Sequence, residues 1–206
     1  MQGKLTMNIN ISKTAVVLVE VQRQWTEKGL FNRLIRKQLE TREVIKNTQR
    51  LVNEARDRGV TVVHAPLVVD AGRKKGWLAH LTFGKIFTKG TWKAELVRGL
   101  FSEGDIIARR EHYNLRGFDA FYKSDLEDVL KDRGITRVFV CGFATDQCPS
   151  KTLRTALRKG FDAYLVTDCT ATFNGFFQKN AERKHGERVV RSHELLEKLN
   201  TGGSEQ

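Results

Sequence analysis

A cysteine opens a helix in the stretch Arg137-Val138-Phe139-Val140-Cys141-Gly142-Phe143-Ala144-Thr145-Asp146-Gln147-Cys148-Pro149. Val138 to Cys141 is apolar and β-favouring, Gly142 lets the backbone bend, and Pro149 suits a first helical turn, where its missing N–H costs nothing. Leu153, Ala156 and Leu157 then recur at helical spacing until Gly160 stops the run. Cys148 thus faces unsatisfied backbone N–H groups and the positive end of a helix dipole. Both favour a thiolate and would hold an oxyanion, which is the chemistry of a nucleophile attacking a carbonyl. Cysteine is also a common packing residue. Cys141, inside the strand, and Cys169, behind the strand-like residues 163–167, read as packing.

The elements that must position Cys148 alternate between strand and helix. Residues 14–19 form an unbroken apolar run, expected of a strand buried on both faces. A long helical segment ends at Gly59, with Val44, Thr48, Leu51, Val52 and Ala55 as its inward stripe. Strands follow at residues 60–65, 105–108 and 138–141, and again at 163–167. One helix opens with the capping box Ser124-Asp125-Leu126-Glu127, and a last helix capped by Ser192 carries Leu195, Leu196 and Leu199. The alternation predicts an α/β fold, a three-layer, doubly wound, mostly parallel sheet with helices on both faces. Sites in such sheets lie beyond the carboxyl ends of the strands, where both Cys148 and Glu20 fall. Residues 70–90 are too long for a simple connection and read as a lid or interface.

The 206 residues suit one domain over 1–206, with residues 1–12 and 200–206 as flexible ends. Three cysteines at irregular spacing argue against a disulfide framework. No segment approaches a membrane span and residues 1–12 lack an apolar signal core, so a soluble, cytoplasmic protein is expected. The net charge of +12 is dispersed, without zinc-finger, RNP-like or basic-zipper patterns. It reads as a solvated basic surface, and no nucleic-acid partner is expected beyond nonspecific attraction.

Leu18-Val19-Glu20-Val21-Gln22, Lys89-Gly90-Thr91-Trp92, Gly117-Phe118-Asp119-Ala120-Phe121, the run from Gly142 to Cys148, and Thr167-Asp168-Cys169-Thr170-Ala171 together resemble the isochorismatase-like cysteine hydrolase family over nearly the whole chain. The resemblance implies a Rossmann-like sheet of about six strands. It also implies hydrolysis of small amides or ureido compounds, or of the vinyl ether of isochorismate, often by dimers or tetramers. The family site combines an Asp, a Lys and a Cys. Cys148 matches the nucleophile, and Glu20 occupies the aspartate position as a longer carboxylate able to take a thiol proton. For the lysine, counting forward from Asp105 gives Arg110, while counting back from Gly117 gives Leu115 or Arg116. Arginine can hold charge there but cannot shuttle a proton as lysine does. Either substitution could instead be structural, Glu20 and Arg110 forming an inert ion pair. His112 is a further candidate, since Cys–His pairs are a common route to a thiolate; otherwise it is an exposed loop residue.

The resemblance also implies a cis peptide bond between Phe143 and Ala144, which turns the Ala144 N–H toward the nucleophile to form an oxyanion hole with that of Cys148. Thr145 would steady the turn and Gln22 would brace or line the site. Trp25, Trp92, Phe121 and Phe173, with Trp77 and Phe176, are pocket, interface or core aromatics. Metal-using members carry an Asp-x-His pair and a further histidine after the second strand, whereas residues 62–70 here hold only His64, read as a core residue. No zinc or other cofactor is therefore expected. The leading expectation is a cofactor-independent cysteine hydrolase cutting a C–N bond of a small amide or ureido substrate, with carboxylated compounds among the candidates, assembled as a homo-oligomer. The alternative is a degenerate homologue that binds a ligand or partner without turnover.

Overall fold

A computed structural model describes residues 8–70, 86–110 and 118–201. Strands β1 (Thr14–Val19), β2 (Thr61–Ala65), β3 (Ile106–Ile107), β4 (Arg137–Phe143), β5 (Asp162–Ala171) and β6 (Val189–Val190) form one 6-stranded sheet. Their order is β3-β2-β1-β4-β5-β6, and every neighbouring pair is parallel. The helices are α1 (Arg23–Thr26), α2 (Leu30–Thr41), α3 (Val44–Asp57), α4 (Leu126–Asp132), α5 (Cys148–Arg158), α6 (Gly175–His185) and α7 (Ser192–Thr201).

Alternation along β1 divides the core. Val16 and Leu18 pack with Val44, Leu51, Val52 and Ala55 of α3 and with Leu195, Leu196 and Leu199 of α7. Ala15, Val17 and Val19 pack with Leu126 and Leu130 of α4 and with Leu153 and Ala156 of α5. Helices therefore cover both faces, which is why β1 is apolar at every position. This is the expected three-layer, doubly wound α/β arrangement.

Three local features depart from the sequence reading. The long segment before Gly59 is two helices, broken at Arg42 and at Glu43, whose φ is +49°. The capping box forms only in part: Ser124 Oγ accepts the Leu126 N–H at 3.0 Å, but Glu127 turns outward to Lys131 and Lys159. Residues 173–184, which the sequence reading assigned to no element, hold most of α6. That helix starts where the Asn174 side chain accepts the N–H groups of Phe176 and Phe177, each at 3.0 Å.

The sheet switches direction between β1 and β4: β2 and β3 extend from one side, β5 and β6 from the other. The carboxyl ends of β1 and β4 thus open the crevice that doubly wound sheets use for ligands. Gly142 permits their close approach. Its φ is +119°, and a Cβ there would stand 1.9 Å from the Val19 carbonyl oxygen. The β4–β5 register also shifts at this point, between Val140 and Gly142.

Candidate active site

Glu20 follows β1 directly. Its N–H donates to the Ala65 carbonyl at the end of β2 (3.1 Å), and its φ of +55° turns the side chain out of the strand register. Gln22 fixes the segment behind it. Its Nε2 donates to the carbonyls of Leu67 (3.1 Å) and Ala94 (2.8 Å), and its Oε1 accepts the Leu67 N–H at 2.9 Å. Gln22 is fully buried with both ends of its amide engaged, so the structure places it as a brace across three segments.

Arg110 arrives from beyond β3. The Arg109 N–H donates to Asp125 Oδ1 (2.7 Å), the Asp125 N–H donates to the Arg109 carbonyl (3.2 Å), and Arg110 bridges to Ser124. The segment is thereby tied to the start of α4. Arg110 Nη2 donates to Glu20 Oε1, and both side chains are buried. The Cys148 thiol donates to the other oxygen of the same carboxylate, Sγ to Oε2 at 3.2 Å. Three segments far apart in sequence thus meet on one carboxylate.

Cys148 begins α5 with Pro149 behind it. The turn before it contains a cis peptide bond between Phe143 and Ala144. The Ala144 carbonyl accepts the Gln147 N–H at 2.8 Å, and the Thr145 N–H donates to the Ala171 carbonyl at 3.0 Å. Among the described residues no acceptor stands against the Ala144 or Cys148 N–H. One of these donors belongs to Cys148 itself and the other to the cis-peptide turn just before it.

Burial decides the electrostatics. Cys148 is 3% exposed and Glu20 1%. Burial pushes the thiol well above its ordinary value, and the Glu20 charge pushes it further, against the smaller opposing pull of Arg110. Glu20 is raised by burial as well, while Arg110 and the hydrogen bond from Cys148 pull it back. The helix terminus alone led to the expectation of a thiolate; burial and the adjacent carboxylate act in the opposite direction. The ground state is a thiol hydrogen-bonded to a carboxylate held by arginine.

Thr145 leads to residues that the sequence reading missed. Its Oγ1 donates to Gln178 Oε1 on α6 at 2.8 Å, and its carbonyl accepts from Ser150 Oγ (2.7 Å) and Ser150 N–H (3.2 Å). Gln178 Nε2 donates to Glu182 Oε1 at 3.0 Å, and that oxygen also receives Arg42 Nη2 at 3.1 Å. A polar chain, buried at Thr145 and Gln178 and half-buried at Glu182 and Arg42, therefore runs from the turn before Cys148 to the break between α2 and α3. The signal available in the sequence was Asn174 as an N-cap, with Gln178 one helical turn further on and Ala181 two.

The aromatic candidates separate. Trp25 lies in the core with Phe31 (4.8 Å between ring centroids), Phe143 (6.2 Å) and Phe87 (6.3 Å). Phe121 stacks on Phe161 at 6.0 Å within the core on the α4–α5 face. Trp92 is half-buried, with Lys28 Nζ 5.1 Å from its ring centroid. Phe173, Phe176 and Phe177 are exposed, and Phe177 meets each of the other two edge to face. His112, Trp77, Leu115 and Arg116 lie outside the described residues.

His64 is fully buried, its Nε2 3.0 Å from Asp105 Oδ2, and burial holds it neutral by lowering its pKa. Among the described residues no three His, Cys, Asp or Glu side chains are grouped as a metal ion would need, and no helix is long and apolar enough to cross a membrane.

The family model described as the Isochorismatase domain matches residues 14–190. Ureidoacrylate amidohydrolase RutB of Azorhizobium caulinodans is 27% identical over 187 residues, 80% of this chain and 78% of that protein. Nicotinamidase 3 of Arabidopsis thaliana is 32% identical over 99 residues, 48% of this chain and 49% of that protein, so this match spans about half of each. A cysteine hydrolase from Pseudomonas syringae superposes with a TM-score of 0.82 at 20% identity, covering 95% of this chain and 96% of that one. N-carbamoylsarcosine amidase from Thermoplasma acidophilum gives 0.70 at 21% identity, covering 87% and 96%. At these identities the two structures speak to fold.

Proposed function

We propose, for a chain that belongs to the isochorismatase family, hydrolysis of a C–N bond in a small amide or ureido compound, with Cys148 as nucleophile and Glu20 as its base. The observation that carries this reading is the 3.2 Å hydrogen bond from Cys148 Sγ to Glu20 Oε2 beside two unengaged backbone donors. The curated relatives that match include an amidohydrolase and a nicotinamidase, both named for amide chemistry.

On substrate binding, Glu20 Oε2 takes the thiol proton as Sγ attacks the carbonyl carbon. Charge moves from sulfur to the carbonyl oxygen, where the N–H groups of Ala144 and Cys148 accept it. Glu20 then returns the proton to the leaving nitrogen, the C–N bond breaks, and an acyl- or carbamoyl-thioester remains on Cys148. A water molecule, deprotonated by the same carboxylate, attacks the thioester, and the thiol is regenerated with release of the acid. Arg110 does not relay a proton in this scheme. It keeps the Glu20 carboxylate ionised and aimed, and its charge offsets the thiolate while that exists.

One observation favours a second reading, binding without turnover: Glu20 and Arg110 already satisfy one another as a buried pair, and Cys148 is 3% exposed. Ammonia or amine release from a panel of small primary amides and ureido compounds separates the two. The hydrolase reading expects release from at least one compound, lost in Cys148→Ala. Release from none, with ligand-induced thermal stabilisation retained, would establish binding alone.

A further inference from the structure

We propose that the unpaired part of the Arg110 guanidinium anchors a carboxylate on the substrate, so that this site selects amides or ureido compounds that also carry an acid group. The Arg110 side chain is 0% exposed, and Nη2 is engaged by Glu20. Among the described residues, Nε and Nη1 are buried and have no hydrogen-bond partner. Buried polar groups are ordinarily satisfied, and an unmatched charged donor is among the more destabilising groups a core can hold. A ligand that supplies the missing acceptor recovers that loss, and a carboxylate does so with charge-assisted hydrogen bonds.

The position suits recognition beside a reacting centre. One carboxylate, that of Glu20, joins Arg110 to Cys148, so an acceptor held on the free nitrogens lies within a small molecule's length of Sγ. Arginine is the residue type for this double task. A lysine ammonium is a single point, whereas guanidinium holds Glu20 through one nitrogen and still presents two others. The charged groups facing the thiol are Glu20, Arg110 and Lys151; the two cations both pull the Cys148 pKa down, and the helix terminus adds partial positive charge. An entering carboxylate meets this positive set against one carboxylate, which loses its charge when it takes the thiol proton.

The consequence for turnover rests on the hydrolase reading, but the test does not, because it uses alkylation of Cys148. Iodoacetate and iodoacetamide share the same reacting carbon and leaving iodide and differ by a carboxylate against a carboxamide. Rates at Cys148, read by peptide mass spectrometry at one pH, give a ratio from which the thiolate fraction cancels. The ratio of iodoacetate to iodoacetamide in the full chain is expected to exceed that of an unstructured cysteine peptide by about tenfold or more, as one charge-assisted hydrogen bond supplies. Arg110→Gln is expected to remove most of that excess, the remainder being the share of Lys151 and the helix terminus, and an excess undiminished in Arg110→Gln overturns the proposal. A ratio in the unaltered protein at or below that of the peptide overturns the proposal.

Should Arg110→Gln fail to fold, protection of Cys148 in the unaltered protein decides the matter. Propionate is expected to slow iodoacetamide at Cys148, while propionamide and chloride at equal concentration leave it unchanged. Protection by chloride as strong as that by propionate overturns the carboxylate assignment. Preference for iodoacetate without hydrolysis of any amide keeps the anchor and removes the hydrolase. Hydrolysis indifferent to an acid group on the substrate does the reverse.

Discussion

Cys148 and Glu20 lie 128 residues apart in sequence, yet the thiol donates to the carboxylate at 3.2 Å across the switch between β1 and β4. Burial and the Glu20 charge push the thiol pKa up, so in the proposed reaction the nucleophile is made only when the proton crosses to Glu20. The same carboxylate raises the thiol pKa and, in that proposal, serves as its base. Those two roles can be pulled apart experimentally.

Replacing Glu20 with Gln removes the base and also the negative charge that pushes the thiol up. Hydrolysis is expected to fall by roughly 10²- to 10⁴-fold, the usual contribution of a general base. Alkylation of Cys148 by neutral iodoacetamide at a fixed pH should become faster, since more of the thiol is ionised. A Glu20 that is not the base would leave hydrolysis largely intact while alkylation still quickens, and stopped-flow alkylation beside a steady-state assay reads the two directions.

The acid limb of kcat/KM follows Glu20, which must be ionised to accept the proton. Burial raises this group above 4.5, and Arg110 is the largest opposing influence. Arg110→Met should therefore move the acid limb to higher pH, with Arg110→Lys between the variant and the original. The stability sign agrees. A carboxyl whose folded pKa lies above its unfolded pKa contributes stability at pH below about 4.5 and loses it as pH rises through the folded value. Arg110→Met should thus be most destabilised at neutral pH and least at pH 4, which urea unfolding at the two pH values measures.

Gln178 positions the turn before Cys148 through Thr145 and touches no reacting atom. Gln178→Ala is expected to lower kcat about tenfold with little change in KM. It should also reduce stability by roughly 1–3 kcal/mol, because it leaves buried partners unsatisfied. Thr145→Val should match it in kcat. The double variant should be no worse than either alone, since both substitutions remove one shared hydrogen bond.

Gly142→Ala places a methyl group 1.9 Å from the Val19 carbonyl oxygen at a positive φ. The combined overlap and backbone strain should cost roughly 2–5 kcal/mol. In a chain of this size that lowers Tm by roughly 5–15 °C, which calorimetry reads directly.

These residues also show what the sequence made legible. The continuous apolar run of β1 and the stripe Val44, Thr48, Leu51, Val52 and Ala55 announced a two-sided sheet, and all five stripe residues are buried. Glu20 and Cys148 could be paired because each ends or follows a strand on the same edge of such a sheet. Helix α6 was missed because its buried positions are Gln178 and Ala181, which leave no apolar periodicity to read. Arg110 was one of three positional alternatives from counting; the folded chain puts its guanidinium on Glu20. The direction of the thiol shift was misjudged because it depends on depth of burial, which helix-terminus reasoning does not contain.

The covalent intermediate offers the most direct test of Cys148 as nucleophile. A reaction with an amide or ureido compound that the protein turns over is quenched in acid within milliseconds, digested, and analysed by mass spectrometry. The account expects the Cys148 peptide to carry the mass of the acyl or carbamoyl group, with no adduct on Cys141 or Cys169 and none anywhere in Cys148→Ser. Turnover that proceeds without an adduct on Cys148, and that survives Cys148→Ala, would contradict it.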